Sequence, residues 1–291
     1  MTLPAGIHHA VPEATYRNEP GSVPALSQSI AKILLAKSPA HAWLAHPRLN
    51  PAWKPDGDTK FDVGNTVHKL MLGRGREIVV VDADDWRTKI AKEARDAALA
   101  EHKLAVLPHT MERAEAMVEA ARSQLRARGY GTDWDPDKDC GEVVVRAQAE
   151  TGHWLTAMID WLPSTTRIWD WKTSAMSAHP DNLGRLMASG DWPLQAAMHE
   201  RILNILDPGN IGRREHRFVA QEITPPSALS VVRMTEAHMT VGRAQLARAE
   251  AIWARCMSTD TWPAYPVEDQ SPEYPAWALA RVMMEDGNAE A

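Results

Sequence analysis

The chain has 291 residues, 44% of them hydrophobic and 24% charged, which is enough length and apolar content for a sizeable core. Its 32 Lys and Arg against 38 Asp and Glu leave a formal charge of −6, which excludes a generally basic coat and confines any nucleic-acid contact to a local groove. Two cysteines, Cys140 and Cys256, exclude a disulfide scaffold and form no C-x-x-C pair; with no apolar run of about 18 residues and no secretory leader, the expectation is a cytoplasmic protein without a membrane span.

Residues 1–25 are rich in Pro and Gly and predict a poorly ordered or draped arm. Ser27 or Ser29 then caps a short buried helix over Ile30–Leu35, and Ser38-Pro39 ends it and starts another through Leu44. A polar loop, Asn50–Lys60, leads to a helix over Phe61–Leu72, where Val63, Val67, Leu70 and Met71 recur at three-to-four spacing beside His68. Ile78–Val81 is a short strand. Trp86–Gly129 is a charged helical stretch split at Leu107-Pro108, a solvated face to which no chemistry is assigned. After a loop over Gly129–Gly141, the strands Glu142–Ala149, Trp154–Leu162 and Arg167–Lys172 form an antiparallel meander. Ser189–Pro193 is a break before an amphipathic helix over Leu194–Leu206. A strand over Phe218–Thr224, a helix over Ala237–Met257 and a Pro/Gly-rich tail from Thr259 follow. Twelve Trp against four Tyr and two Phe make Trp the expected core aromatic, with base stacking as the alternative.

The residues with chemistry centre on Asp160 and Asp170-Trp171-Lys172. Side chains of a strand alternate, so Asp170 and Lys172 share one side while Trp169 and Trp171 enter the core. A turn centred on Thr165 places Asp160 opposite Asp170, with Cβ atoms about 5 Å apart. Two carboxylates that close repel unless a cation neutralises them, and oxygen ligands suit Mg²⁺ or Mn²⁺ better than zinc. Lys172 would then orient the attacking water and offset charge on a phosphate, the toolkit of phosphodiester hydrolysis. An exposed hairpin would carry the same residues as ordinary surface charges, and spacing alone does not separate the two readings. Glu142 is either a third carboxylate on that face or a surface residue at a strand start. His68, on its own, reads as a core or boundary histidine. Gln195 and His199 are neighbours at i, i+4, a polar stripe on their helix. Arg74, Arg76 and Arg146 either grip phosphates or are solvated. There is no P-loop, no H-E-x-x-H and no G-x-S-x-G.

Taken in order, Leu26-Ser27-Gln28-Ser29 with Ser38-Pro39-Ala40-His41, then Gly64-Asn65-Thr66-Val67-His68, Glu142, Ile159-Asp160, Asp170-Trp171-Lys172-Thr173 and Gln195-Ala196-Ala197-Met198-His199 form a pattern. It resembles the PD-(D/E)xK nuclease superfamily in its RecB-like branch, and is most similar there to phage and prophage exonucleases of the RecE (exodeoxyribonuclease VIII) type. Trp262-Pro263-Ala264-Tyr265 and Pro275-Ala276-Trp277 are similar to the same group, so the likeness spans roughly residues 22–280.

This resemblance implies an α/β (α+β) restriction-endonuclease-like core, a central mixed sheet with an antiparallel meander flanked by helices. The nuclease domain would occupy residues 26–280, with a helical insertion at 86–129 and a tail at 281–291. It makes His68, Asp160, Asp170 and the Trp171 carbonyl metal ligands, Lys172 the catalytic lysine, Glu142 a support for the metal or for a second one, and Gln195 the group that orients the site and the DNA. His199, a candidate DNA contact, stands where many relatives have Tyr. The implied activity is a Mg²⁺-dependent 5′-to-3′ DNA exonuclease, with Mn²⁺ substituting, that resects linear duplex ends for recombination. The implied setting is a bacterial or phage-infected cytoplasm, with a single-strand annealing partner, a trimeric or tetrameric ring and no membrane. The alternatives are a DNA-binding or assembly protein that keeps the fold without cleavage, and a structure-specific endonuclease. A cysteine-ligated iron–sulfur variant is disfavoured, because two cysteines cannot supply four ligands.

Overall fold

A computed structural model describes residues 2–19, 21–54, 62–134 and 138–280. In chain order the elements begin with β1 (Gly6–His8), α1 (Glu13–Arg17), β2 (Ala25–Ser27), α2 (Gln28–Ala36), α3 (Pro39–Ala45), α4 (Asp62–Leu72) and β3 (Ile78–Val80). They continue with α5 (Lys89–Ala100), β4 (Leu104–Val106), α6 (Pro108–Ala127), β5 (Gly141–Gln148), β6 (Trp154–Ser164) and β7 (Arg167–Ser174). Last come α7 (Pro180–Gly190), α8 (Trp192–Leu206), β8 (Glu215–Glu222), β9 (Leu229–Arg233) and α9 (Glu236–Thr259). Among the described residues no helix is long and apolar enough to cross a membrane.

The main sheet has seven strands in the order β1-β5-β6-β7-β8-β9, with β2 paired to β6. β5, β6 and β7 form the expected antiparallel meander, β8 runs parallel to β7, and β2 runs parallel to β6. The architecture is therefore mixed α/β, a central mixed sheet flanked by helices. On one face Val143, Val145, Ala147, Leu155, Ala157 and Ile159 pack under α2, α8 and α9. On the other, Trp161, Trp169 and Trp171 pack with Val67 and Met71 of α4 and with Met117, Ala121 and Leu125 of α6. Trp134 stacks on Trp161 at 5.3 Å and meets Trp169 and Trp171 edge-on. Trp is thus a core aromatic here.

The helix starts follow local chemistry. Ser27 accepts a hydrogen bond from the Ile30 amide, and Ser38 accepts from the His41 amide ahead of Pro39 at the first helical position. Leu107-Pro108 starts α6, as its sequence indicates, but the short strand β4 precedes it and pairs with β3. Far from lying on a solvated surface, α6 buries Ala114, Met117, Val118, Ala121 and Leu125. The expected break at Ser189–Pro193 is the single residue Asp191, whose left-handed φ of 55° separates α7 from α8.

The N-terminal arm needs correction. Residues 6–8 pair with β5, residues 25–27 pair with β6, and Leu3 and Glu19 are buried, so the segment is part of the sheet and its packing. Hydrogen bonding to two sheet strands outweighs the Pro/Gly composition on which the loose-arm expectation rested. The expected tail at 281–291 and part of the polar loop, residues 55–60, lie outside the described residues.

Candidate active site

The site forms where β6 and β7 part. Their ladder pairs Trp161 with Trp169 and Ser164 with Arg167, with a register irregularity between those pairs. The Trp161–Trp169 pair has the register that the turn centred on Thr165 requires. Beyond it the Asp160 side chain takes the place of the strand partner: its Oδ2 accepts a hydrogen bond from the Trp171 amide at 2.8 Å. A carboxylate thus plugs the opening of the sheet, next to Asp170 and Lys172 on β7.

Asp170 is 2% exposed and held from two sides. Lys172 forms an ion pair with its Oδ1, and the Gln195 amide nitrogen, from α8, donates to its Oδ2. From the opposite side α4 presents His68. Its Nε2 lies 3.3 Å from Asp160 Oδ2 and its Nδ1 lies 3.5 Å from Glu142 Oε1. Glu142, the second residue of β5, lies in the left-handed region, with φ 49°. Such a conformation is unfavourable for a residue with a side chain and is found where function requires an orientation. Gly75 makes room for it: a Cβ there would stand 3.0 Å from Glu142 Oε1.

Charge follows from this geometry. Burial works against ionising Asp160, but His68, Lys172 and the Trp171 amide outweigh it and bring its pKa down to about 2. Burial and the neighbouring Asp160 charge push Asp170 up to about 6, against the pull of Lys172. Burial opposes a charged His68, yet Asp160 and Glu142 overcome it and raise the imidazole to about 10. Lys172 is likewise raised by Asp170 and Asp160 in spite of burial. The centre is therefore a compact network of carboxylates and cations with few other partners.

The six residues singled out as centre residues, His68, Glu142, Asp160, Asp170, Lys172 and Gln195, come together from five elements, α4, β5, β6, β7 and α8. Among the described residues no three His, Cys, Asp or Glu side chains already converge as ligands of one ion, because these carboxylates are turned toward His68, Lys172 and Gln195. The donor set itself, carboxylate oxygens with one imidazole, suits a hard divalent cation.

A cleft of about 1080 Å³ opens beside the centre. Glu142, Gln195 and His199 line it, with Tyr16 of α1, Lys69 at the end of α4 and Arg76 beyond it. Arg74 also lines the cleft and is ion-paired with Asp139. Two of the residues proposed to contact DNA are placed otherwise. Arg146 is 1% exposed, ion-paired with buried Glu19 and set over the Trp154 ring at 5.3 Å, so it is a structural cation and not a phosphate grip. His199 is 1% exposed and stacks against His216 with ring centroids 6.3 Å apart, its Nδ1 without a hydrogen-bond partner. Burial and the charges around it lower its pKa to about 3, so the ring is neutral. The pairing of His199 with His216 and the left-handed Glu142 have no sequence signal. Only the sheet crossing brings 199 and 216 together.

No protein-family model matches the sequence, and no curated protein matches it. Among solved structures, the fold resembles a crystal structure named "putative exonuclease" from Eubacterium rectale, with a TM-score of 0.57 and 12% identity, covering 92% of this chain and 96% of that one. At that identity the likeness establishes a shared fold over nearly the whole of both chains.

Proposed function

We propose that this chain is a metal-dependent deoxyribonuclease of the PD-(D/E)xK type, an exonuclease that resects linear duplex ends 5′ to 3′ and leaves single strands for annealing. One observation carries the reading: Asp160, Asp170 and Lys172 meet at the parting of β6 and β7, with His68, Glu142 and Gln195 closing around them. A fold shared with a protein named "putative exonuclease" supports it.

Asp160, Asp170 and His68, with Glu142 beside them and the Trp171 carbonyl, would hold Mg²⁺, with Mn²⁺ as a substitute. The ion would supply Lewis acidity and charge neutralisation at the phosphate. The protein does the rest. Lys172 Nζ, anchored on Asp170, stands as a fixed positive charge for the pentacovalent phosphate and orients the attacking water. Gln195 donates a hydrogen bond from its amide nitrogen to Asp170 Oδ2 and so helps to fix the orientation of that carboxylate. Lys69, and Arg76 in its ion pair with Glu13, bring positive charge to the cleft wall for the phosphates of the strand. A net charge of −6 is compatible with this if the cations are gathered along the cleft.

The deciding experiment is digestion of end-labelled linear duplex, with a closed circle as control, in Mg²⁺ and in EDTA. Mg²⁺-dependent loss of the linear substrate alone is expected, beginning at the 5′ label. Cutting of the circle would make the protein an endonuclease. Binding of DNA without cleavage in any divalent metal would make it a binding protein on a nuclease fold.

A further inference from the structure

Helix α4 meets β7 at one point of unusually close approach. Gly64, in its first turns, faces Thr173, the residue after Lys172. A Cβ at position 64 would stand 2.8 Å from Thr173 Oγ1, closer than real Cβ atoms come, while the next atom, Thr173 Cβ, lies at a comfortable 3.8 Å. A single hydroxyl oxygen therefore decides whether this helix can carry a side chain there. The β-branched Thr173 is stiff about χ1 and cannot easily swing that oxygen away. The helix cannot easily retreat either, because Val67 and Met71 are buried against the tryptophans of the sheet.

His68 is four residues on, one turn further along the same helical face. Its two ring nitrogens span Asp160 and Glu142 at 3.3 and 3.5 Å. Any displacement of α4 at Gly64 is passed to that imidazole. Gly is among the poorest helix formers, so helix propensity alone would favour Ala at this position. We infer that Gly64 is a positioning residue: the absence of a side chain there lets α4 come close enough to Thr173 to deliver His68 to the two carboxylates. The close approach is a matter of geometry; its consequence for turnover rests on the nuclease reading above.

The test uses the full chain as wild type, Gly64→Ala, Thr173→Ala, Gly64→Ala/Thr173→Ala and Gly64→Ala/Thr173→Val. Three quantities are read: kcat and KM on linear duplex with Mg²⁺, Mn²⁺ binding by calorimetry without DNA, and the melting temperature. Gly64→Ala is expected to lower kcat and Mn²⁺ affinity by about 10- to 100-fold, with KM for DNA unchanged and the fold retained. Thr173→Ala alone stays near wild type. Gly64→Ala/Thr173→Ala, which lacks the obstructing oxygen, recovers to within about threefold, the coupling expected of residues in contact. Gly64→Ala/Thr173→Val, with a methyl group in the oxygen's place, does not recover. Wild-type behaviour of Gly64→Ala, or failure of Thr173→Ala to rescue it, overturns the inference, and so does equal rescue by Val. Should Gly64→Ala not fold, the Ala/Ala double variant decides: recovery of fold and binding supports the inference, and its failure ends it. If the wild type binds Mn²⁺ but does not cleave, the nuclease reading falls and calorimetry alone judges Gly64. If it neither binds nor cleaves, both fall.

Discussion

Asp170 carries its charge against its surroundings. It is buried, it faces Asp160, and its pKa is pushed up to about 6 even with Lys172 and Gln195 bound to it. A carboxylate kept at that disadvantage is one that a neighbouring cation would relieve, which is why perturbed groups mark functional centres. Asp170→Asn is an isosteric change that removes the charge without opening a cavity. It should retain the fold, with a melting temperature within a few degrees of wild type, and lower cleavage by about 10³-fold or more. Lys172→Ala should do the same. Normal turnover by either variant would remove the mechanism. His199 is the contrasting case: a neutral, buried ring stacked on His216 and with no ion-pair partner among the described residues. His199→Ala empties a core position and should cost about 2–4 kcal/mol in a urea melt, with kcat falling less than about tenfold. A loss of activity as deep as that of Lys172→Ala, in a protein still folded, would show that the ring takes part in the reaction.

At the level of elements, the N-terminal segment is tied to the sheet at both ends, by β1 on β5 and by Glu19 on Arg146. That ion pair is buried on both sides, with Arg146 at 1% and Glu19 at 5% exposure, and His46 Nε2 lies 3.9 Å from Glu19. Removing one partner of a buried pair strands the other charge. Glu19→Gln should therefore destabilise the protein by about 3 kcal/mol or more, while Glu19→Leu/Arg146→Met should be milder than either single change. A double variant as unstable as the single one would mean that the pair itself, and not the stranded charge, carries the stability. Arg146 also shows what the sequence could not convey. Alternation along Glu142–Ala149 places it on a strand, but its partner is 127 residues away, and nothing local says that the cation is buried. The helices α2 and α3 were legible from their serine caps, α4, α8 and α9 from apolar spacing, and the meander from its turns. β1, β2 and β4, of three residues each, are too short to show a period, and α1, α7 and β9 are not among the expected elements. That the six candidate residues gather at one place was legible from the order of their motifs and from the register of the β6–β7 turn. The depth at which they meet is tertiary information: nothing local in the sequence shows that a Cβ at Gly64 would stand 2.8 Å from Thr173 Oγ1.

Summed over the molecule, the buried imidazoles make stability depend on pH in both directions. Burial, with nearby cations, holds His199 and His216 neutral with pKa values lowered to about 3, and burial lowers His46 to about 4. The ordinary value is 6.5, so between 6.5 and those lowered values the unfolded chain binds protons that the folded chain refuses. The stability they confer is complete above pH 6.5 and drains away as the pH falls through that window. His68 has the opposite sign. Held charged by Asp160 and Glu142 with its pKa raised to about 10, it gives stability that is complete below 6.5 and is lost as the pH rises toward 10. Asp170 and Glu19, both raised by burial, take up protons more readily when folded and soften the acid limb. Urea melts in EDTA should accordingly peak near pH 6.5–7. From there to pH 5.5 the net loss should be about 2 kcal/mol, given about 1.4 kcal/mol per pH unit for each refused proton and the carboxyl offset. Lys172→Ala leaves these imidazoles in place and should keep the acid limb. His216→Phe, which fills the same space without a titrating nitrogen, should flatten it by about a third. Stability that holds level or rises between pH 6.5 and 5.5 would mean that these rings are not the neutral, water-excluded groups their packing implies.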